Sequence, residues 1–209
     1  MRLLALTDFH GAYDRLPGIL MKAGKVDGTL VAGDLTEFGP AKKAKEALDM
    51  LPRPLLAVPG NCDPKDMVDL LRSEGCNLHE NKLRMGNVTF VGIGGSNPTP
   101  FNTPFELSED RIRTTLERLL QGETGPSVLV SHAPPMGHQD EIPGGIHVGS
   151  TAVAHLAPRF AAVVCGHIHE ARGISRIGKT VIVNPGPASE GNAAVLEIDE
   201  RGNASATLI

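Results

Sequence analysis

Short aliphatic runs recur along the chain up to residue 165, and each run ends in small or polar residues. Continuous apolar runs of this kind are typical of strands that are buried on both faces. The pattern predicts five such strands, which cover Leu3–Leu6, Thr29–Ala32, Leu55–Val58, Val128–Val130 and Ala161–Cys165.

Helical patterns lie between the early strands, over Leu16–Ala23, Ala41–Leu51 and Asp66–Ser73. Strands that alternate with helices predict parallel βαβ units, and therefore an α/β protein.

The middle of the chain predicts one hairpin, one capped helix and two long loops. The Gly-Asn pair at 86–87 lies between strand-like flanks and predicts the hairpin. Ser108 is expected to cap a helix that runs through Leu120. The irregular stretches Gly94–Pro104 and Ala133–Gly149 are long enough to suggest functional loops.

After residue 169 the pattern changes to short β-branched segments separated by glycine-containing turns. The segments are Ile174–Ile177, Thr180–Val183, Ala194–Ile198 and Ala204–Leu208. This pattern predicts an antiparallel meander.

The composition is that of an ordinary globular chain with an aliphatic core. Hydrophobic residues make up 41% of the 209 residues, and aromatic residues only 3%. At about 150 residues per domain, the length favours a single domain over residues 1–209.

Charge and cysteine content narrow the cellular setting. The net charge is −4 and no long run of Lys or Arg occurs, which argues against a nucleic-acid-binding tail but leaves local patches open. No apolar run is long enough to span a bilayer, and the apolar start of the chain is too short for a signal peptide. Three widely spaced cysteines make neither a disulfide framework nor a zinc knuckle. We therefore expect a reduced, cytoplasmic protein with no membrane partner.

Potential metal ligands follow the predicted strands at the point where each strand ends. They are Asp8, His10, Asp34, Asn61, His132, His167 and His169. The carboxyl ends of strands in an α/β sheet converge on one crevice, which is the usual ligand site. Imidazoles and carboxylates together suit Mn, Fe, Zn, Ni or Co. Two ions about 3.5–4 Å apart would form a clamp for displacement at phosphorus.

The order of these motifs resembles that of the calcineurin-like metallophosphoesterase superfamily. The motifs are Asp-x-His, Gly-Asp, Gly-Asn-x-Asp, a single His and Gly-His-x-His, and they extend from residue 8 to residue 169. The Asn-Pro-Gly turn at 184–186 is similar to that of the small bacterial and archaeal phosphodiesterase branch.

The resemblance implies a fold, an activity and a ligand set. The implied fold is an α/β, four-layer αββα sandwich in which two mixed β-sheets are flanked by helices. The implied activity is hydrolysis of a phosphodiester, either a small molecule or a nucleotide, by a hydroxide that bridges two divalent transition-metal ions. Manganese is the first expectation for these ions, with Ni, Fe, Zn or Co as alternatives. Asp8, His10 and His169 would hold one ion, Asn61, His132 and His167 the other, and Asp34 would bridge them.

One position departs from the family pattern. Many members carry a histidine after the Gly-Asn pair, where it is taken to contact the substrate phosphate or protonate the leaving group, and this chain has Cys62. A thiol is a weak donor and carries no positive charge, so weaker leaving-group catalysis is expected. His147, on the long loop after His132, is the candidate to replace the missing group. His79, His138 and His155 have no motif support and are expected at the surface.

Two alternatives to a phosphodiesterase stay open at this point. One is a non-catalytic, metal-binding interaction scaffold on the same fold, against which the presence of seven potential ligands argues. The other is a phosphomonoesterase or nucleotidase, which a basic residue beside the metals would favour.

Overall fold

Three parallel strands and the helices between them open the fold of the computed structural model, which describes residues 1–209. The strands are β1 (Arg2–Leu6), β2 (Gly28–Ala32) and β3 (Leu55–Val58). The helices are α1 (Leu16–Ala23), α2 (Lys45–Met50), which a 3₁₀ turn over Ala41–Ala44 precedes, and α3 (Met67–Ser73). β1 pairs with β2 and β2 with β3 in parallel, which confirms the predicted βαβ units.

The middle of the chain builds the strands and helices of a second sheet. Strands β4 (Lys82–Met85) and β5 (Val88–Ile93) form the predicted hairpin, and β6 (Ser127–Ser131) follows. Between them lies α4 (Glu109–Leu120), and the Ser108 side chain accepts a hydrogen bond from the Arg111 N–H as the predicted cap.

A small hairpin, a short helix and five strands complete the fold. The hairpin strands are β7 (Glu141–Ile142) and β8 (Ile146–His147), and the helix is α5 (Thr151–Leu156). The remaining strands are β9 (Ala162–Val164), β10 (Gly173–Ile177), β11 (Thr180–Asn184), β12 (Ala194–Ile198) and β13 (Ala204–Leu208). None of the helices is long and apolar enough to cross a bilayer.

The strands form two mixed sheets. The first has the order β13-β12-β1-β2-β3, and the second has the order β10-β11-β9-β6-β5-β4. Each sheet has parallel strands at its centre and an antiparallel partner at one or both edges.

The predicted antiparallel meander at the C-terminus is wrong. β10 and β11 form a hairpin in the second sheet, whereas β12 and β13 form a hairpin in the first. The chain crosses from one sheet to the other through residues 185–193, which include a 3₁₀ turn at Ala188–Glu190. A β-branched pattern identifies a strand but not the sheet that it joins, and for this reason the sequence did not reveal the crossing.

Three apolar layers hold the fold together. Alternate residues of β1 face opposite ways, so Leu3 and Ala5 pack between the two sheets whereas Leu4 and Leu6 pack against the helices of the first sheet. A third layer joins the outer face of the second sheet to α4 and α5. Helices, two sheets and helices are thus stacked in four layers, as the resemblance implied.

Candidate metal centre

The two sheets bring the predicted ligands to one edge of the molecule. Asp8, Asp34 and Asn61 follow β1, β2 and β3 of the first sheet, whereas His132 and His167 follow β6 and β9 of the second. The backbone joins neighbouring ligand loops, since the Asp8 N–H donates to Gly33 at 3.0 Å and the Gly166 N–H donates to His132 at 3.0 Å. The crevice therefore lies where the carboxyl ends of two packed sheets meet.

Several ligand positions have an unusual backbone conformation. Asp8, His10, Asp34 and His167 have φ angles of 55°, 47°, 50° and 70°. Non-glycine residues are uncommon in this left-handed region, and such strain is concentrated at functional sites. The sequence indicated only that the Gly-His-x-His segment must turn, and the φ angle of His167 is that turn.

The potential ligand atoms form three sets of three residues, and within each set these atoms all lie within 4.8 Å of one another. The sets are Asp8 with His10 and His169, Asp8 with Asp34 and His132, and His10 with Asp34 and Cys62. The overlap of these sets through Asp8, His10 and Asp34 makes them one continuous cluster.

The half-exposed part of the cluster contains two histidines and a buried carboxylate. His10 Nε2 lies 3.2 Å from His169 Nε2, and His169 Nε2 lies 3.6 Å from Asp8 Oδ1. Burial raises the pKa of Asp8, but the close contact with His169 and the charges of the nearby histidines outweigh it and lower this pKa to about 2. The same contact with Asp8 raises the pKa of His169.

The deepest part of the cluster presents acceptor atoms to one another. His132 is fully buried, and its Nδ1 lies 2.7 Å from the Ala32 carbonyl oxygen. This oxygen can only accept a hydrogen bond, so Nδ1 carries the proton. Its Nε2 then faces Asn61 Oδ1 at 2.8 Å and Asp34 Oδ2 at 3.5 Å with a lone pair. Three converging acceptors repel each other unless a cation lies among them, and this donor set therefore fits a divalent metal.

The charges of the cluster support the same fit. Burial, together with the nearby Asp8 and Asp63 carboxylates, raises the pKa of Asp34 well above its usual range. A cation would relieve this repulsion. Asp34 is fixed on one side by the Cys62 N–H, which donates to Oδ1 at 2.8 Å. Residue 60 in the adjacent loop must be glycine, because a Cβ there would lie 2.0 Å from Asp34 Oδ1.

His167 lies against His132 at the buried end of the crevice. The two ring centroids are 5.0 Å apart, and the His167 N–H donates to Asp8 Oδ2 at 3.1 Å. Burial lowers the pKa of His167 to about 3 and also lowers that of His132. Both rings are therefore neutral near pH 7, which is the form that binds metals.

Cys62 lies within the cluster. Its half-buried thiol has a raised pKa because of burial and the adjacent Asp34 carboxylate, so it is protonated near pH 7. The Asn61 amide donates to its Sγ at 3.6 Å.

The other histidines are distributed differently from the sequence-based prediction. His147 pairs with Asp140, with Nδ1 2.7 Å from Oδ1, and belongs to none of the three ligand sets. Its role in leaving-group protonation stays a prediction. The surface assignment of His79 is wrong: this side chain is buried, accepts a hydrogen bond from the Gly94 N–H at 2.9 Å, and has its pKa lowered to about 4 by burial. His155 is exposed as predicted, and His138 is half-buried against Ser175.

Asp63 supports the centre and was missed by the sequence analysis. This fully buried carboxylate accepts hydrogen bonds from the N–H groups of Leu35, Thr36 and Gly60 and from the Thr36 hydroxyl, at 2.8–3.1 Å. It ties the loop after β3 to the loop after β2. Its position at the end of the Gly-Asn-x-Asp motif was the signal available in the sequence.

The Asn-Pro-Gly turn supports the histidine loop. The buried Asn184 amide donates to the Ile168 carbonyl at 2.8 Å, between His167 and His169. Its Oδ1 accepts from the Gly186 N–H at 2.9 Å. This turn therefore positions the loop, and the hydrogen bonds of the Asn184 side chain go to Ile168 and Gly186 rather than to the predicted ligands.

Comparison with known proteins gives three kinds of match. The family model described as calcineurin-like phosphoesterase matches residues 1–171. An uncharacterized protein of Methanocaldococcus jannaschii is 39% identical over 198 residues, covering 90% of this chain and 89% of its own length.

Two solved structures have the same fold at low identity. A structure described as a novel archaeal phosphodiesterase is 15% identical, with a TM-score of 0.54 and full coverage of both chains. A dimetal phosphatase from Danio rerio is 12% identical, with a TM-score of 0.63 over 99% of this chain and 98% of its own. At these identities the likeness is evidence of the fold alone.

Proposed function

The chain belongs to the calcineurin-like phosphoesterase family, and from that premise we propose that it is a dinuclear metal-dependent phosphodiesterase. The observation that carries the proposal is the approach of His132 Nε2 to Asn61 Oδ1 and Asp34 Oδ2, three atoms that act as acceptors when the His132 proton is on Nδ1. Such an arrangement is costly without a cation and favourable with one.

The proposed ligands divide between the two sheets. One ion would be held by Asp8, His10 and His169, the other by Asn61, His132 and His167, with Asp34 between them. When bound, a pair of divalent ions supplies an activated water and neutralises charge on the phosphate oxygens. Manganese is our first choice among the metals that suit imidazole and carboxylate ligands.

The residues of the chain prepare this site in advance. The Ala32 carbonyl fixes the tautomer of His132, and burial keeps His132 and His167 neutral. The Cys62 N–H and the glycine at residue 60 fix the carboxylate of Asp34. Because the donors are held by hydrogen bonds before any metal arrives, little reorganisation is needed on binding.

A diester is favoured over a monoester by the chemistry at Cys62. The thiol is neutral and offers no positive charge to a doubly charged monoester. A phosphomonoesterase is the alternative on the same fold. The three free thiols suit a reducing compartment, and we therefore infer a cytoplasmic enzyme.

The test is metal-dependent hydrolysis of bis(p-nitrophenyl) phosphate. The protein is stripped with a chelator and assayed with Mn²⁺, Ni²⁺, Zn²⁺ or no added metal, in the wild type and in Asp34→Asn. We expect turnover to return with metal in the wild type only, with a lower metal content in the variant.

Asp69→Asn serves as the matched control, because Asp69 is an exposed acid on α3. Metal binding without turnover of a diester or monoester would favour the scaffold alternative. Full activity in Asp34→Asn would refute the bridging role.

A further inference from the structure

An open cleft of about 430 Å³ lies beside the loop that carries the metal-ligand histidines. Glu170, Ala171 and Arg172, which directly follow His169, form one of its walls. The rest of the lining is the segment at 137–141, His147 of the β7–β8 hairpin, and Ser175. A group bound in this cleft would therefore be separated from His169 by a single turn of chain.

His147 is held in this cleft by a buried carboxylate. Asp140 is fully buried, and its Oδ2 accepts from the N–H groups of Gly137 at 3.0 Å and Gly149 at 2.9 Å. Its Oδ1 accepts a hydrogen bond from the Nδ1–H of His147 at 2.7 Å. The Nε2 atom of a ring that is 45% exposed is then the one polar atom of His147 left for a ligand.

His138 is held in the same way by a second polar chain. The Ser175 hydroxyl donates to Gln139 Oε1 at 2.6 Å, so it accepts from His138 Nδ1 at 2.9 Å. The free polar atoms that remain are Nε2 of His138 and the amide nitrogen of Gln139. Two oriented imidazoles and an amide thus face one cleft.

The lining decides the class of ligand. Ala171 is its one apolar side chain and no Phe, Tyr or Trp lines it, so an acyl chain has no surface on which to pack and a nucleobase lacks a large apolar ring to stack on. The carboxylates of Glu141 and Glu170 outnumber Arg172, which already donates to the Pro185 carbonyl at 2.9 Å. A second phosphate group is therefore disfavoured, whereas hydroxyl groups match an array of imidazole, amide and carboxylate partners.

We propose that this cleft binds a hydroxyl-rich alcohol, such as a glyceryl or sugar group, which forms one ester arm of the phosphodiester. Nε2 of His147 and the carboxylate of Glu170 hydrogen-bond its hydroxyl groups. The inference rests on the proposed phosphodiesterase function, since it assigns the organic part of that substrate.

The first experiment compares p-nitrophenyl phosphodiesters whose second ester group is ethyl, glyceryl or 2-aminoethyl. The glyceryl diester should have a kcat/KM about tenfold above that of the ethyl diester, which is the effect of one or two well-placed hydrogen bonds. His147→Asn keeps a donor for Asp140 but removes Nε2, and should reduce that ratio towards one. His155→Asn, at an exposed histidine on α5, should leave the ratio unchanged.

The second experiment measures binding without turnover. Imidazole NMR signals of the chelator-treated protein are followed during titration with the glyceryl diester. The signals of His147 and His138 should shift, and that of His155 should not. In Glu170→Gln the titration midpoint should move to higher ligand concentration.

The outcomes separate the two proposals. Shifts of His147 and His138 with no hydrolysis of any diester under any metal would overturn the phosphodiesterase and keep the cleft as a polyol site. If the diesters are hydrolysed, but the glyceryl-to-ethyl ratio of kcat/KM is the same in wild type and His147→Asn and no NMR signal shifts, the cleft is not the alcohol-binding site. A preference for the aminoethyl diester would overturn the hydroxyl-rich assignment in favour of a cationic alcohol.

Discussion

Cys62 is the residue at which a single side chain decides most about the chemistry. It lies in one ligand set with His10 and Asp34, yet its raised pKa keeps it a neutral thiol. A neutral thiol cannot supply the general acid that a histidine supplies, a contribution of about 10²–10⁴ in rate. Departure of the leaving group should therefore depend strongly on its own basicity.

Cys62→His should weaken that dependence. Diesters with leaving groups of increasing pKa, from p-nitrophenol to phenol, should react ever more slowly in the wild type and less so in the variant, by about 10²-fold for the poorest leaving group. Cys62→Ser is the matched control, because it offers a neutral donor. If the rate depends on the leaving-group pKa with the same slope in all three proteins, Cys62 has no role in departure of the leaving group.

His79 shows how burial alone changes the pH dependence of stability. Its pKa falls from 6.5 to about 4 because of burial, with Glu80 opposing the shift. Between pH 4 and 6.5 the unfolded chain binds more protons at His79 than the folded chain does. The contribution of the neutral His79 ring to the free energy of unfolding is therefore intact above about pH 6.5 and is lost as the pH falls towards 4.

Acidification from pH 7 to 5 should therefore cost the wild type about 2 kcal/mol more free energy of unfolding than it costs His79→Gln. Urea unfolding at both pH values measures the difference. His155→Gln, at an exposed site, should behave like the wild type. Equal losses in wild type and His79→Gln would mean that the buried ring does not titrate as proposed.

At the scale of elements, the Asn-Pro-Gly turn after β11 controls the loop after β9. Asn184 holds the carbonyl of Ile168, so the two histidines on either side of that residue depend on a neighbouring strand for their orientation. Residues that orient metal ligands from outside the cluster typically contribute 10–100-fold in metal affinity.

Asn184→Ala should therefore weaken metal binding by about tenfold or more while the fold is kept. Metal titration monitored by calorimetry gives the affinity, and circular dichroism verifies the fold. Asn192→Ala removes a half-buried asparagine of the same connection, whose amide donates to Glu190 at the surface, and is the control. An unchanged affinity in Asn184→Ala would mean that the loop keeps its shape without the turn.

The sequence was sufficient for every strand except β7 and β8, for every helix except α5, and for the places where the predicted ligands follow the strands, because these are local patterns. Leu3–Leu6 is apolar throughout and Asp8 follows it, and both facts can be read without any partner. The sheet joined by β12 and the burial of His79 depend on distant segments, as do the four donors to Asp63. Non-local pairing leaves little trace in one sequence, and these features were accordingly missed or misassigned.

At the scale of the whole molecule, the proposed centre connects two sheets whose facing side chains form an apolar layer. Asp8 and Asp34 come from the first sheet, and His132 and His167 from the second. A ligand that binds only the folded state stabilises it by about 2.7 kcal/mol at a concentration 100-fold above its Kd.

Saturating Mn²⁺ should therefore raise the Tm of the wild type but not that of Asp34→Asn. On Mn²⁺ binding, backbone hydrogen exchange should slow at the carboxyl ends of β1, β2 and β9 alike, because the two metal ions would hold all three strand ends. Protection confined to one sheet would contradict a centre shared between the two.

The division of the donors also makes this protein a natural candidate for fragment complementation. A cut in the β4–β5 turn at residues 86–87 leaves Asp8, His10, Asp34 and Asn61 on one piece and His132, His167 and His169 on the other. The first piece also lacks β12, its antiparallel neighbour along β1. Tight metal uptake by a mixture of the two pieces would then signal their reassembly, and would do so with no label attached to either.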